Sequence, residues 1–276
     1  MQEPTRGAQS EGRQPEISVA RVYDYLLGGT NNGESDRRAA GQLAALFPEL
    51  KDWAWCNRAF HQRAARWLAT EAGIAQFIDL GSGLPTQNNT HEVVQPINPK
   101  ARVVYVDNDP MVVEHAPALL SEDGNTTFLS ADIRDPDSIL SHPELLDLVD
   151  LEQPVGLLMT AVVHFVADSY DPHALVRRYL DAVPSDSYLV LSHGTYDRQP
   201  EDVIRRAQAV YQNASEQMHM RPKHEVERFF DGLELVPPYE GSGPVVTYGG
   251  LWGAEDPEAA DDDSTRVFYA GVARKP

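Results

Sequence analysis

Carboxylates and glycines are the residues of this sequence whose types and spacing could do chemistry. The segment Phe77-Ile78-Asp79-Leu80-Gly81-Ser82-Gly83 carries an apolar run into an acid and then into two glycines one residue apart. Residues without a Cβ let backbone approach a ligand closely. Taken alone, the pair is either a nucleotide-type loop or an ordinary strand-to-turn pair of glycines. A dinucleotide fingerprint wants a third small residue at position 86, where Thr86 follows Pro85, so the loop points away from NAD. A second apolar run, Val103-Val104-Tyr105-Val106, ends in Asp107-Asn108-Asp109, and a carboxylate at such a strand end can hold a ribose diol through two hydrogen bonds. A third run ends in Ala131-Asp132-Ile133, offering a side-chain acceptor and a backbone N–H to an adenine edge. Each acid singly is as readily a turn or N-cap aspartate. Their recurrence at successive strand ends, where open α/β sheets bind ligands, points to one shared rim.

Those ends must be supplied by a sheet. From Gln76 onward, short aliphatic runs alternate with helical or loop stretches, the pattern of parallel strands joined by crossover helices. The runs predict strands at Gln76–Leu80, Arg102–Asp107, Thr126–Ser130, Val155–Thr160, Tyr188–Ser192, Leu233–Val236 and Val267–Val272, the last two forming a hairpin at one edge. The first quarter is helical instead. Ser18 caps a helix carrying Val19, Val22, Leu26 and Leu27 at helical spacing and stopped by Gly28-Gly29. A second helix runs from Ser35 to about Phe47 and a third from Asp52 to about Ala72. Gln199 to Met220 reads as one long helix leading into another at Lys223–Phe230, a pair that forms either a lid over the site or plain packing. Residues 1–16, polar and without periodicity, read as a mobile tail. The expected organisation is one domain over residues 17–276, with a helical cover over 17–73, an α/β core over 74–276 and a helical lid insertion near 199–230.

Composition narrows the partners. With 42 acidic and 23 basic side chains the formal charge is −19, and no Lys/Arg run offers a patch for phosphates, which argues against nucleic acid and anionic membrane. Cys56 is the single cysteine, so no intramolecular disulfide and no cysteine-based metal centre is expected. The longest apolar stretch, Val155 to Ala167, is shorter than the roughly 20 residues of a membrane span, and the expected location is the cytoplasm. The acidic run Glu255 to Asp263 reads as a solvated loop. His219 and His224 are too far apart for one helical face, and no metal site is expected. Phosphate-loop, zinc-protease and nucleophile-elbow motifs do not occur in the sequence.

Asp79-x-Gly81-x-Gly83, Asp107 and Asp132 resemble the successive motifs of the class I S-adenosylmethionine-dependent methyltransferases. The segments Ala20-Arg21-Val22-Tyr23-Asp24-Tyr25-Leu26-Leu27-Gly28-Gly29, Asn57-Arg58-Ala59-Phe60, Leu84-Pro85-Thr86, Val103 to Pro110 and Phe229-Phe230-Asp231-Gly232-Leu233 are similar to an actinobacterial methyltransferase family of largely unknown substrate. The likeness runs over about Ile17 to Pro276, and the loop Thr30-Asn31-Asn32-Gly33 departs from it.

The resemblance implies a Rossmann-like α/β fold with a seven-stranded sheet whose last strand is antiparallel, and S-adenosyl-L-methionine as cofactor. It implies cofactor contacts at Asp79, Gly81, Ser82, Gly83, Asp107, Asn108, Asp132, Ile133 and Thr160, with Arg21, Tyr25 and Arg58 from the helical cover. Arg21 and Tyr25 share one helix face, and Arg21 or Arg58 could meet the cofactor carboxylate. His164 and His193 follow apolar strands at the rim and are either bases for the acceptor or structural histidines. Tyr23 and Tyr196 are candidates to line the acceptor pocket. The fourth strand is followed by Thr160-Ala161-Val162-Val163-His164-Phe165, which lacks the Asp/Asn-Pro-Pro-aromatic signature of amino-directed nucleic-acid enzymes and favours a small-molecule acceptor, oxygen ahead of nitrogen. The alternatives are an NAD(P)-linked oxidoreductase and a non-catalytic S-adenosylmethionine-binding regulator.

Overall fold

A computed structural model describes residues 17–85, 88–119 and 124–276. The tail expected over 1–16 and Thr86 of the glycine loop lie outside the described residues. Helix α1 spans Val19–Leu26, and Ser18 caps it by accepting a hydrogen bond from the Arg21 N–H at 3.3 Å. Helix α2 spans Glu34–Ala44 and begins one residue before Ser35, because the Gly33 N–H is already held by the Asp36 carboxylate at 2.8 Å. Helix α3 spans Leu50–Thr70.

Among the described residues eight strands form one mixed sheet: β1 (Gln76–Leu80), β2 (Arg102–Asp107), β3 (Thr126–Ser130), β4 (Gly156–Thr160), β5 (Tyr188–Gly194), β6 (Glu234–Leu235), β7 (Thr247–Tyr248) and β8 (Phe268–Arg274). Their order is β3-β2-β1-β4-β5-β8-β6, with β7 also on β8. Strands β1 to β5 are parallel, and β8 is antiparallel to β5, β6 and β7. The seven-stranded expectation is thus corrected by one. The additional strand, β7, is two residues long inside a Gly- and Pro-rich stretch, too short to show alternation. The edge hairpin is present as the β6–β8 pair, with Glu234 opposite Arg274.

The chain winds from β1 outward to β3 and then returns to the other side of β1 with β4. Between β1 and β4 lies the switch point at which open sheets leave a crevice beyond their carboxyl ends. Asp79, Asp107 and Thr160 all stand at that edge, since Asp79 pairs with Tyr105 on β2, Asp107 with Ser130 on β3, and Thr160 with Ser192 on β5. Alternate residues of the buried strands feed two cores. Ile78, Val104 and Leu157 face one side, while Phe77, Val103 and Leu158 face the other, where α3 packs through Phe60, Ala64 and Leu68.

A third apolar cluster makes the cover: Val22 and Leu26 of α1, Ala40 and Leu43 of α2, and Ala207 with Tyr211 from 201–213. The long helix expected over Gln199–Met220 is shorter. It covers Glu201–Val210, turns through Tyr211–Asn213 and continues as a non-helical segment to Pro222. Tertiary partners take its backbone donors there: Ser215 N–H bonds Ile17 O at 2.8 Å and His219 N–H bonds His164 O at 2.7 Å. The following helix covers Lys223–Glu227 and a last turn Arg228–Phe230. The acidic run 255–263 is exposed at its carboxylates but contains a short helix, Pro257–Ala260, capped by Asp256.

Candidate active site

A cavity of about 270 Å³ opens at the carboxyl ends of β1 to β4, roofed by α1 and by residues 211–218. Its floor is the glycine loop. Gly81 sits at φ +72°, and a Cβ there would lie 2.2 Å from Val162 Cγ2, so both conformation and crowding require glycine. Gly83 N–H donates to Asp107 Oδ2 at 2.8 Å and Asp109 N–H donates to Oδ1 at 2.9 Å. Each Asp107 oxygen therefore keeps a lone pair for a ligand hydroxyl. Burial pushes the Asp107 carboxyl up to about 6, opposed by those two N–H bonds. Ser82 Oγ is buried at the same loop without a hydrogen-bond partner among the described residues.

Asp79 heads a chain of hydrogen bonds that the sequence reading missed. Its Oδ2 accepts from Thr90 Oγ1 at 2.7 Å, Thr90 Oγ1 lies 2.8 Å from His61 Nε2, and His61 Nδ1 lies 2.9 Å from Thr160 Oγ1. Because the Thr90 proton goes to Asp79, the Thr90 oxygen accepts from His61 Nε2–H, and Nδ1 accepts from Thr160. Burial, aided by the Arg58 charge, pushes His61 down to about 3, so the ring is neutral and its tautomer fixed. Burial likewise raises Asp79 to about 6, against the Thr90 hydrogen bond and Arg58. His61 directly follows the Asn57-Arg58-Ala59-Phe60 segment, and that adjacency was the available signal.

At the third acid, Arg134 grips Asp132 through Nε and Nη2 and reaches Glu216 of the roof at 3.1 and 3.0 Å. Burial raises the Asp132 pKa, but the hydrogen bonds and charge of Arg134 outweigh it and hold the carboxyl below its usual range. Asn108 and Ile133 line the cavity beside it. Arg134 also lies over the Tyr170 ring, 5.3 Å from its centroid.

The inner wall is strained and braced. Ala161 adopts φ +55°, a costly conformation for a residue with a Cβ. Its N–H is held by Ser192 Oγ at 2.9 Å, Ser192 Oγ donates to Asn57 Oδ1 at 2.5 Å, and Asn57 Nδ2 donates to the Tyr23 hydroxyl at 2.9 Å. Next to this wall His164 is 2 % exposed and lines the cavity. Its Nδ1 accepts from Gly194 N–H at 3.3 Å, which leaves the ring proton on Nε2. Burial and the Arg221 charge push its pKa down to about 3.

Of the expected site residues, Asp79, Gly81, Ser82, Gly83, Asp107, Asn108, Asp132, Ile133, Thr160, Arg58, Tyr23 and His164 all line this cavity. Four do not. Arg21 Nε is 2.8 Å from Asp36 Oδ2, bracing α1 against α2. Tyr25 is 40 % exposed on the outer face of α1, and Tyr196 lies outside the lining. His193 is fully buried, bonded to Gly194 O through Nδ1 and to Arg221 Nη1 through Nε2, and held well below its usual pKa by burial. That arginine is a second residue the sequence did not announce. Only 5 % exposed, it also donates to Val166 O at 2.9 Å and Asp168 at 2.6 Å, pinning the roof to the loop after β4.

A doubly wound sheet with acids at successive strand ends around a glycine loop defines a nucleoside-binding α/β enzyme of the methyltransferase type. The S-adenosyl methyltransferase family model matches residues 8–276, and the chain belongs to that family. It is similar to a DUF574 family protein from Streptomyces avermitilis MA-4680, with 41% identity over 94% of this chain and 98% of the other and a TM-score of 0.87. It is also similar to a Thermobifida fusca YX protein provisionally assigned as a methyltransferase, with 40% identity over 96% of each chain and a TM-score of 0.85. No curated protein matches the chain. The protein is an S-adenosylmethionine-dependent methyltransferase, and its residues fit that cofactor: lone pairs kept open on Asp107, a partnerless buried Ser82 hydroxyl, a guanidinium at Arg58, and carboxylates suited to a sulfonium cation.

Proposed function

We propose that the enzyme methylates an oxygen of a small organic molecule that enters the chamber beside His164. The observation that carries this reading is the cover over the cavity. Helix α1 and residues from the 211–218 segment line it opposite the strand ends, which favours a small acceptor over a polymer, and the net charge of −19 opposes nucleic acid or anionic membrane as partner. No described helix is long and apolar enough to cross a membrane, and the reading is of a cytoplasmic enzyme.

In this assignment Asp107 takes the ribose hydroxyls, Asp132 and the backbone of Ile133 take the adenine edge, with Asn108 beside them, and Asp79 takes the amino group. Gly81 and Gly83 would let the cofactor approach the backbone closely, the Ser82 hydroxyl would bond it, and Thr160 carries the relay from His61 to the inner rim. Arg58, which donates to Asn88 O and Asn89 Oδ1 across the mouth of the loop, meets the carboxylate in place of Arg21. The cofactor supplies an electrophilic methyl group whose bonding pair stays with sulfur, and the protein supplies alignment, worth up to about 7–11 kcal/mol of barrier. His164 holds the acceptor oxygen by donating from Nε2–H, with Tyr23 behind it. A ring whose Nδ1 is already occupied serves as this donor better than as a base.

Methyl-labelled cofactor incubated with the purified enzyme and fractionated cell extract tests the reading. Label in a low-mass, base-stable ether supports it, and label in protein or nucleic acid overturns it. His164→Ala should lower turnover far more than S-adenosylhomocysteine affinity, and equal losses would show a structural ring.

A further inference from the structure

His164 lines two cavities. A second recess of about 50 Å³ adjoins the first, and the two share Trp53, His164, Tyr211 and Met218 as lining residues. Leu43, Phe47, Leu50, Met220 and Val267 make the rest of the wall largely apolar, and Glu49, Gly194 and Thr195 complete it. We propose that this recess binds the apolar end of the methyl acceptor, a weakly acidic hydroxyl compound of the alkylphenol type, with its oxygen presented to Nε2 of His164. The inference deepens the proposed function and rests on it.

Three observations lead there. The recess exceeds the roughly 10–15 Å³ that a single water needs, and most of its exposed wall is apolar, so it suits a few carbon atoms. Packed interiors leave few such voids, because unfilled apolar space is destabilising. The third is Gly194, which closes β5 at the recess. Its φ is not in the left-handed region, and a Cβ there would stand 3.7 Å from Met220 Cγ and 3.9 Å from His164 Nδ1, ordinary contact distances. Neither backbone nor crowding demands glycine at this position. What a side chain would remove is space between His164 and Met220. Met218 and Met220 add adaptable, unbranched walls suited to a ligand. Because His164 Nδ1 already accepts from the Gly194 N–H, the ring donates from Nε2–H and takes no proton, so the hydroxyl must be acidic enough to lose its proton to solvent water and meet Nε2–H as a phenolate oxygen.

Calorimetric titration of the S-adenosylhomocysteine complex with phenol, 4-methylphenol, 4-ethylphenol and 1-hexanol tests the proposal. Affinity should rise roughly 4-fold per added ring carbon substituent, with 1-hexanol the weakest. Gly194→Ala keeps the backbone donor to His164 and should cut 4-ethylphenol affinity at least 10-fold while leaving S-adenosylhomocysteine affinity within 2-fold. Leu50→Ala, which enlarges the recess, should move the preference to 4-propylphenol. A flat series, tightest binding of 1-hexanol, no phenol binding, or a Gly194→Ala loss that is equal for cofactor product and phenol overturns the recess assignment. Failure of S-adenosylhomocysteine to bind at all would instead remove the reading on which it rests.

Discussion

The floor and the roof of the cavity are built by different rules. On the floor, Asp107 is organised by Gly83 and by Asp109 two residues on, and Asp132 by Arg134 two residues on. Neighbouring parallel strands bring these acids together automatically. The ties that hold the roof to the rest of the site cross the chain: Ser18 Oγ donates to Asp109 Oδ2 over 91 positions, Arg134 reaches Glu216 over 82, and Arg221 reaches Asp168 over 53. The groups proposed to bind the cofactor therefore stand on strand ends, while closure depends on a few long-range polar ties. The floor should govern affinity and the roof stability.

The sharpest way to break that division is in the roof. Arg221→Met leaves the Val166 and Asp168 acceptors and His193 without their donor, and the loss of stability should be about 4 kcal/mol, read by urea unfolding. A change below 1 kcal/mol would mean the roof is held otherwise. On the floor, Asp107→Ala should weaken S-adenosylhomocysteine binding about 100-fold, or about 3 kcal/mol, with little loss of stability since burial already disfavours its charge. Ser18→Ala touches both regions, removing the α1 cap and the tie to Asp109; about 2 kcal/mol of stability should go, and cofactor product should dissociate faster. The pH dependence separates them again. Burial pushes the Asp79 and Asp107 carboxyls up to about 6, and a cationic cofactor needs them ionised. Affinity should be level above that pH and fall about tenfold per unit per group as pH drops below it. At the low end, Tyr25→Ala on the outer face should change neither quantity.

The same contrast explains what the sequence made legible. Asp79-x-Gly81-x-Gly83, Asp107 and Asp132 could be placed at one edge because strand ends repeat by a local rule and aliphatic runs mark them. His61 and Arg221 could not, since their partners Thr90, Thr160, His193 and Asp168 are distant in the chain and no periodicity encodes such pairs. Arg21 was placed at the cofactor because it shares a face with Tyr25, but Asp36 of the next helix claims it. His193 failed as a site residue for a similar reason, with Arg221 filling its Nε2 position. The break after Val210 was invisible because tertiary acceptors, not a Gly or Pro, end the helix.

One measurement bears most directly on the claim that the strand-end acids hold S-adenosylmethionine for methyl transfer. Trp53 lines both recesses, so its fluorescence can follow parallel titrations with S-adenosylhomocysteine and NADH at pH 7.5 and 5.5. Saturable one-site binding of S-adenosylhomocysteine, weaker at the lower pH, with no saturation by NADH, is the expected result. Saturable NADH binding without S-adenosylhomocysteine binding would contradict the account.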